Sequence, residues 1–281
     1  MRFASFANQN GAGFGLVENG CIRPIVGTRF TDLYSVIAAN AYAEAAAAAT
    51  DPVAADEVLL VPTLPNPGKI FCIGMNYVAH IKEMGRDQPT YPTLFTRFPD
   101  SLVGHDRPVI RPRASTHYDF EGELAVVIGH RARHVSADRA FDFVAGYTCF
   151  LDGSVRDYQR HTSQFVAGKN FRHSGAMGPW LVTTDEIPDP YVLTLQTRVN
   201  GQVMQSGRID DLCFDIGALI EYLSAICQLE PGDVIATGTP SGVGVARGPQ
   251  VWLQPGDIVE VDIDKIGVLR NEVVDEGGVG F

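Results

Sequence analysis

The sequence predicts an α+β fold made mainly of strands. Leu124–Ile128 is a continuous apolar run, which is typical of a buried strand. Residues 259–263 alternate apolar with acidic side chains, as in a strand that buries one face. Stretches with helical spacing are few and do not alternate regularly with the strands, which argues against a parallel sheet wound from βαβ units.

The first 66 residues are predicted to form a small N-terminal α/β domain. Met1–Ala7 and Gly13–Ile25 are expected strands around a glycine-rich turn, and the alanine-rich segment Val36–Ala49 is an expected helix. Asp51-Pro52 should end that helix. The breaker cluster Leu64-Pro65-Asn66-Pro67-Gly68 marks the boundary, so a larger domain is expected over residues 67–281.

The larger domain shows strand and helix signals in turn. The expected elements are a strand at Ile70–Ile73, a short helix at Asn76–Met84, a helix at Ala137–Val144 capped by Ser136, the apolar run Val144–Leu151, and a helix after Asp215. Apolar side chains at 216, 219, 220, 223 and 226 give that last helix its spacing. Pro231-Gly232-Asp233 and Pro255-Gly256-Asp257 are matching turns, each followed by an expected strand.

Charge and composition narrow the class of partner. The chain of 281 residues has 22 Lys and Arg against 33 Asp and Glu, a net charge of −11. This surplus disfavours nucleic acid and anionic membrane, which both attract basic surfaces. No run of about 18 apolar residues and no signal-peptide core is present, and the five cysteines lack paired spacing. We therefore expect a cytoplasmic protein without a disulfide framework.

Three carboxylates are candidates for a metal site. Glu121 and Glu123 stand two residues apart at the start of an apolar strand, so they share one face. Asp152 ends another apolar run. An all-oxygen set suits Mg²⁺ or Mn²⁺, whereas the lack of paired His or Cys ligands disfavours zinc. Two glutamates on a strand also occur on solvated surfaces, so the pattern alone leaves both interpretations open.

A series of motifs occurs in a fixed order along most of the chain. They are Ile73-Gly74-Met75-Asn76-Tyr77 followed by His80, Asp119-Phe120-Glu121-Gly122-Glu123-Leu124, Ala145-Gly146-Tyr147-Thr148 leading to Asp152 and Arg156-Asp157, Gly168-Lys169-Asn170-Phe171, Gly178-Pro179-Trp180, and Pro231-Gly232-Asp233 through Thr237-Gly238-Thr239-Pro240. From about Lys69 to Val274 the chain thereby resembles the fumarylacetoacetate hydrolase superfamily.

The resemblance implies a fold, a metal site and a class of substrate. Its fold is a mixed β-sandwich roll, usually in a homodimer, and its metal triad matches Glu121, Glu123 and Asp152. The ion is Mg²⁺ or Mn²⁺, one per subunit, and the substrates are small anionic 2-keto or 1,3-diketo acids. The sequence departs from the family pattern at two places. Leu151 stands where the family commonly has Asn, and Gly153 follows the aspartate. Arg172-His173 stands where the family often has an acidic residue.

Several residues are expected to carry the chemistry. His80 and Glu83 share one face of the expected helix, so Glu83 could orient His80 for water activation, as in hydrolytic relatives. Lys169 should orient a metal ligand or polarise a substrate oxygen, and Arg156 should bind a substrate carboxylate. An ordinary surface ion pair would also explain either cation. The other expected substrate contacts are Tyr77, Gln159 and the loop Thr237-Gly238-Thr239.

The first functional hypothesis is a hydrolase that cleaves a carbon–carbon bond of a short acylpyruvate. Maleylpyruvate or fumarylpyruvate would yield pyruvate and a carboxylic acid, a step of aromatic-compound catabolism. The alternatives that keep the metal site are oxaloacetate decarboxylation, muconate-type isomerisation and sugar-acid dehydration. A third hypothesis is a non-catalytic dimer that binds metal and carboxylates.

Overall fold

The computed structural model describes residues 1–9, 11–54 and 57–278. The strands are β1 Arg2–Asn8, β2 Gly11–Glu18, β3 Cys21–Pro24, β4 Val53–Ala54, β5 Leu59–Leu60, β6 Ile70–Gly74, β7 Thr93–Thr96, β8 Leu102–Val103, β9 Val109–Arg111, β10 Tyr118–Asp119, β11 Gly122–Ile128, β12 Val144–Leu151, β13 Ser154–Val155, β14 Gly175–Thr183, β15 Thr194–Val199, β16 Gln202–Arg208, β17 Val234–Ala236, β18 Ile258–Ile263 and β19 Gly267–Asp275. The α-helices are α1 Leu33–Ala39, α2 Tyr42–Ala47, α3 Val78–Glu83, α4 Arg156–Gln159, α5 Val166–Lys169 and α6 Ile216–Ile226, and short 3₁₀ turns connect several elements. This confirms the predicted α+β class.

Most strands belong to two sheets. The larger sheet has the order β4-β3-β2-β1-β14-β12-β11-β17-β6-β7, with β5 on β1 and β8 on β14. The smaller sheet has the order β16-β15-β18-β19-β9, and β10 and β13 form a separate pair.

The main core lies between the two sheets. Leu124 and Val126 of β11 share one apolar cluster with Val259 and Val261 of β18. Ala125 and Val127 belong to a second cluster on the opposite face of the larger sheet, together with residues of α1. Because β11 is covered on both faces, its sequence is continuously apolar, whereas only one face of β18 is buried and its sequence alternates.

The N-terminal strands join the same sheet as the rest of the chain. Phe3 of β1 pairs with Leu181 of β14, and Leu33 and Val36 of α1 are buried in the core that also holds Ala125. The sheet thus continues across the proposed boundary at residue 66, and the division into domains 1–66 and 67–281 remains a prediction.

Two helix predictions are wrong in detail. The expected helix Val36–Ala49 is two helices, α1 and α2, because Asn40 adopts the left-handed conformation at φ 48° and ends the first. The residues after Ser136 form a 3₁₀ helix, Ala137–Phe143, and the Ser136 side chain makes no capping hydrogen bond. Alanine content predicted helix but carried no signal for the break, since Asn readily adopts that conformation.

The helix predictions nearest the candidate site are confirmed. The expected Asn76–Met84 helix is α3, which is shorter and begins after Tyr77. The Asn76 side chain donates to the carbonyls of Phe214 and Thr237. Helix α6 begins after Asp215, whose carboxylate accepts from the Ala218 N–H at 2.8 Å. In the described part of the chain, no helix has the length and apolar character needed to cross a bilayer.

Candidate metal centre and active site

Two neighbouring strands bring the three predicted carboxylates together. Strands β11 and β12 are antiparallel with Gly122 opposite Leu151, so the start of one meets the end of the other. One oxygen each of Glu121, Glu123 and Asp152 lies within 4.8 Å of the others, and all three residues are buried. Sequence spacing placed the glutamates on one face, and sheet pairing adds the aspartate.

The three carboxylates fit a hard divalent cation. Two oxygens on one Mg²⁺ at about 2.1 Å lie at most about 4.2 Å apart, so only a small inward movement is needed. Burial makes three adjacent negative charges costly unless cations offset them. A divalent ion bound by Glu121, Glu123 and Asp152 would supply that charge, and the donor set does not distinguish Mg²⁺ from Mn²⁺.

Lys169 lies between two of the three carboxylates. Its Nζ donates to Asp152 Oδ2 at 2.5 Å and also to Glu121 Oε2. Burial alone would lower the pKa of Lys169, but Asp152 and Glu121 outweigh burial and raise it. Lys169 is therefore a fixed cation that holds two ligands in place, consistent with its predicted orienting role.

Arg97 is a site residue that the sequence analysis did not identify as such. Its guanidinium is buried, and Nη1 donates to Asp152 Oδ1 at 2.6 Å and to the Gly153 carbonyl at 2.9 Å. Arg97 lies outside the cavity lining. Its sequence context offered no signal beyond a charged residue directly after strand β7.

Arg156 has its nitrogens directed at protein groups. Nε donates to Asp119 Oδ2 at 2.8 Å, Nη1 donates to Gln159 Oε1 at 3.0 Å, and Nη2 lies 2.7 Å from Glu121 Oε1. Asp119 also accepts the N–H groups of Gly244 and Val245. Arg156 therefore positions Glu121, and its predicted binding of a substrate carboxylate remains a prediction.

The surroundings set different protonation states for the two glutamates. Burial raises the pKa of Glu123 well above its usual range, and Asp152 and Glu121 raise it further. Burial also acts to raise the pKa of Glu121, but Arg156 and Lys169 outweigh it, so the pKa of Glu121 is lowered. Glu123 is therefore the carboxylate of the triad that takes up a proton most readily, and a bound cation must compete with that proton.

The predicted histidine–glutamate pair is formed on helix α3. His80 Nδ1 lies 2.8 Å from Glu83 Oε1, and His80 is 5% exposed. Both carboxylate oxygens of Glu83 also accept the Gly242 N–H, at 3.0 and 2.9 Å. The loop after β17 thus holds Glu83, and Glu83 holds the imidazole ring.

A cavity of about 110 Å³ lies over the carboxylates. Among the predicted site residues, the lining includes His80, Glu121, Glu123, Arg156, Gln159, Lys169 and Thr239. The apolar part of the lining comprises Ile73, Met75, Met84, Phe95 and Phe165. Tyr77, Thr237, Gly238, Glu83 and Asp152 lie outside this lining.

The loop after β17 holds Glu123 and the backbone on both sides of it. Thr237 Oγ1 donates to the Leu124 carbonyl at 3.0 Å, and the Gly238 N–H donates to Glu123 Oε2 at 3.0 Å. Thr239 Oγ1 donates to the Gly122 carbonyl at 2.9 Å. A Cβ on Gly238 would lie 2.8 Å from the Asn76 Cβ, and Gly238 has φ +104°, so this position favours glycine.

The two departures from the family pattern have different surroundings. Leu151 is buried in the core between the sheets. A Cβ on Gly153 would lie 1.9 Å from the Ser174 carbonyl, so this position excludes any larger residue. Arg172 and His173 both lie outside the cavity lining.

Known proteins match the chain in sequence and in fold. A family model described as fumarylacetoacetate (FAA) hydrolase C-terminal matches residues 69–274. The human protein "Oxaloacetate tautomerase FAHD2A, mitochondrial" is 44% identical over 220 residues, which cover 78% of this chain and 70% of that protein. The fumarylacetoacetate hydrolase structure from psychrophilic Exiguobacterium antarcticum has a TM-score of 0.89 at 35% identity, covering 98% and 100% of the two chains. Maleylpyruvate hydrolase from Sphingobium sp. SYK-6 has a TM-score of 0.82 at 29% identity, with the same coverage.

Proposed function

The chain belongs to the fumarylacetoacetate hydrolase family, and we propose that it interconverts the keto and enol forms of an oxaloacetate-like 2-keto acid. The observation that carries this proposal is a buried histidine, oriented by a carboxylate, in a cavity beside three clustered carboxylates that could hold a metal ion. The oxaloacetate tautomerase at 44% identity supports this reaction over hydrolysis, since the maleylpyruvate hydrolase is 29% identical.

Tautomerisation moves one proton between a carbon and an enol oxygen. The intermediate enolate carries a negative charge, and a divalent ion held by Glu121, Glu123 and Asp152 would supply positive charge beside it. The apolar side chains of Phe95 and Phe165 in the cavity lining limit water near the reacting atoms.

His80 is the group that moves the proton. When Nδ1–H donates to Glu83, Nε2 is unprotonated and can accept a proton from the substrate. The same nitrogen returns the proton at the other position. Glu83, held by the Gly242 N–H, keeps the ring in that tautomer and stabilises its charged form.

Hydrolysis of a short acylpyruvate, the reaction expected from the sequence, is the second candidate. The His80–Glu83 pair has the geometry to deprotonate a water molecule as well as a carbon acid. The fold shared with a maleylpyruvate hydrolase favours it. Mg²⁺ or Mn²⁺ as the ion, a homodimer and a cytoplasmic location remain predictions.

The decisive experiment compares both reactions on one preparation. Purified protein with Mg²⁺ or Mn²⁺ is given enol-oxaloacetate, whose absorbance decays on ketonisation, and separately maleylpyruvate and fumarylpyruvate, with pyruvate as the product measured. We expect the protein to make the enol decay faster than it does without protein. In His80→Ala this catalysed rate should be reduced about 10²–10⁴-fold. The exposed His130→Ala variant should match the wild type.

Each other result selects a different conclusion. Pyruvate release without tautomerisation would establish the hydrolase. An unchanged rate in His80→Ala would remove the proton-transfer role of His80. Metal binding without either reaction would support the non-catalytic binder.

A further inference from the structure

Two arginines lie at the solvent-facing end of the cavity. Arg86 follows helix α3 and Arg160 follows helix α4, and both line the same cavity as His80 and Lys169. Unlike Lys169 and Arg156, which are buried, both arginines are exposed. The cavity therefore has carboxylates at its floor and guanidinium groups at its opening.

The fold uses the backbone of Arg86 and Arg160. Backbone hydrogen bonds hold the two segments, from Arg86 N–H to the Ile81 carbonyl and from Arg160 N–H to the Asp157 carbonyl. Among the residues that the structure describes, no hydrogen bond or ion pair involves either guanidinium. Exposed arginines elsewhere do pair, as Arg139 does with Asp142 at 2.5 Å. Arg86 and Arg160 thus present unpaired planar donors at the cavity, the kind that bind carboxylates.

The cations Lys169, Arg97 and Arg156 around the three carboxylates are already paired with carboxylates of the protein. A second carboxylate of the substrate therefore needs a different cation. Four buried carboxylates, those of the triad and Asp119, face three cations, which are Lys169, Arg97 and Arg156. With all four carboxylates ionised, as metal binding requires, one negative charge remains, and a divalent ion converts it to one positive charge. The carboxylate beside the 2-keto group cancels that charge, so a second carboxylate needs cations from elsewhere.

We propose that Arg86 and Arg160 bind the distal carboxylate of the substrate, so that the enzyme selects 2-keto dicarboxylates over monocarboxylates. This inference rests on the proposed function for the 2-keto end of the molecule, and it applies to tautomerisation and hydrolysis alike. Arg86 follows helix α3, which carries His80, and Arg160 follows helix α4, which carries Arg156. A distal carboxylate bound by both arginines therefore fixes the substrate relative to His80 and Lys169.

The test measures binding of an unreactive dicarboxylate. Malate has a 2-hydroxy acid end and a distal carboxylate, and its 4-methyl ester lacks only the distal charge. Calorimetry with the Mn²⁺-loaded protein should show at least about tenfold tighter binding of malate than of the ester. Arg86→Gln and Arg160→Gln should each weaken malate binding about tenfold and leave ester binding unchanged. Added salt should reduce the preference, because both arginines are exposed.

The control variant is Arg139→Gln, which removes an exposed arginine outside the cavity lining. It should bind malate as the wild type does. Equal affinity for malate and ester, or equal losses for both in the arginine variants, would overturn the inference. If the protein prefers malate through both arginines but does not tautomerise oxaloacetate, the inference is supported and the proposed reaction is refuted. Tautomerisation of oxaloacetate and its 4-methyl ester with equal kcat/KM would refute the inference alone.

Discussion

Replacing Arg97 by methionine should destabilise the metal-free protein strongly. The buried guanidinium bonds Asp152 at 2.6 Å, the Gly153 carbonyl at 2.9 Å, and the hydroxyl oxygens of Ser174 and Ser101 at 2.9 and 3.1 Å. Methionine fills part of the volume but leaves these acceptors without their donor. Breaking a buried ion pair by removing one partner costs about 3–5 kcal/mol. Lys169 still contacts Asp152, which places the expected loss near the lower end, about 3 kcal/mol.

Urea unfolding of chelator-treated protein measures this loss. The free energy of unfolding should fall while its dependence on urea concentration stays the same, because the surface exposed on unfolding is unchanged. Arg139→Gln removes an ion pair between exposed side chains and should leave the urea midpoint unchanged. A loss below about 1 kcal/mol in Arg97→Met would show that Arg97 is not needed to offset the charge of Asp152.

Three further predictions concern the triad and the residues that support it. Because the pKa of Glu123 is raised in the folded metal-free protein, Glu123 contributes stability below the pKa of an unfolded glutamate, and this contribution is lost as pH rises through the folded pKa. Mn²⁺ binding should therefore release protons and tighten with rising pH. Calorimetry in buffers of different ionisation enthalpy measures the release, and proton-free binding would contradict the assignment. Gly153→Ala places a Cβ against the Ser174 carbonyl. The substitution should cost about 1–3 kcal/mol of stability and weaken Mn²⁺ binding. If stability and Mn²⁺ affinity are both unchanged, the backbone adapts freely. Glu83→Gln keeps the shape of the side chain but removes the charge beside His80. The value of kcat should fall about 10²-fold, with little change in the urea midpoint. Full activity would show that Glu83 serves only to hold the loop at Gly242.

Local patterns predicted the elements whose cause is local. The alternation in residues 259–263 predicted a strand with one buried face, and Asp215 predicted the start of α6, since both depend on neighbours within a few residues. The helix over Val36–Ala49 was wrong because one asparagine conformation interrupts it. Glu121 and Glu123 were predicted together because two residues in a strand share a face.

The sequence by itself determined the α+β class, the triad candidates, the His80–Glu83 spacing and the resemblance to a family. Only the tertiary structure decided which cations serve which carboxylates. Arg97 is 55 residues from Asp152, yet its guanidinium bonds that side chain, while Arg156, four residues from Asp152, bonds Asp119 and Gln159. Charge pairing in a buried site depends on distances between strands and loops, which no spacing along the chain encodes. The same packing brings Arg86 and Arg160 to one cavity, although 74 residues separate them in the sequence.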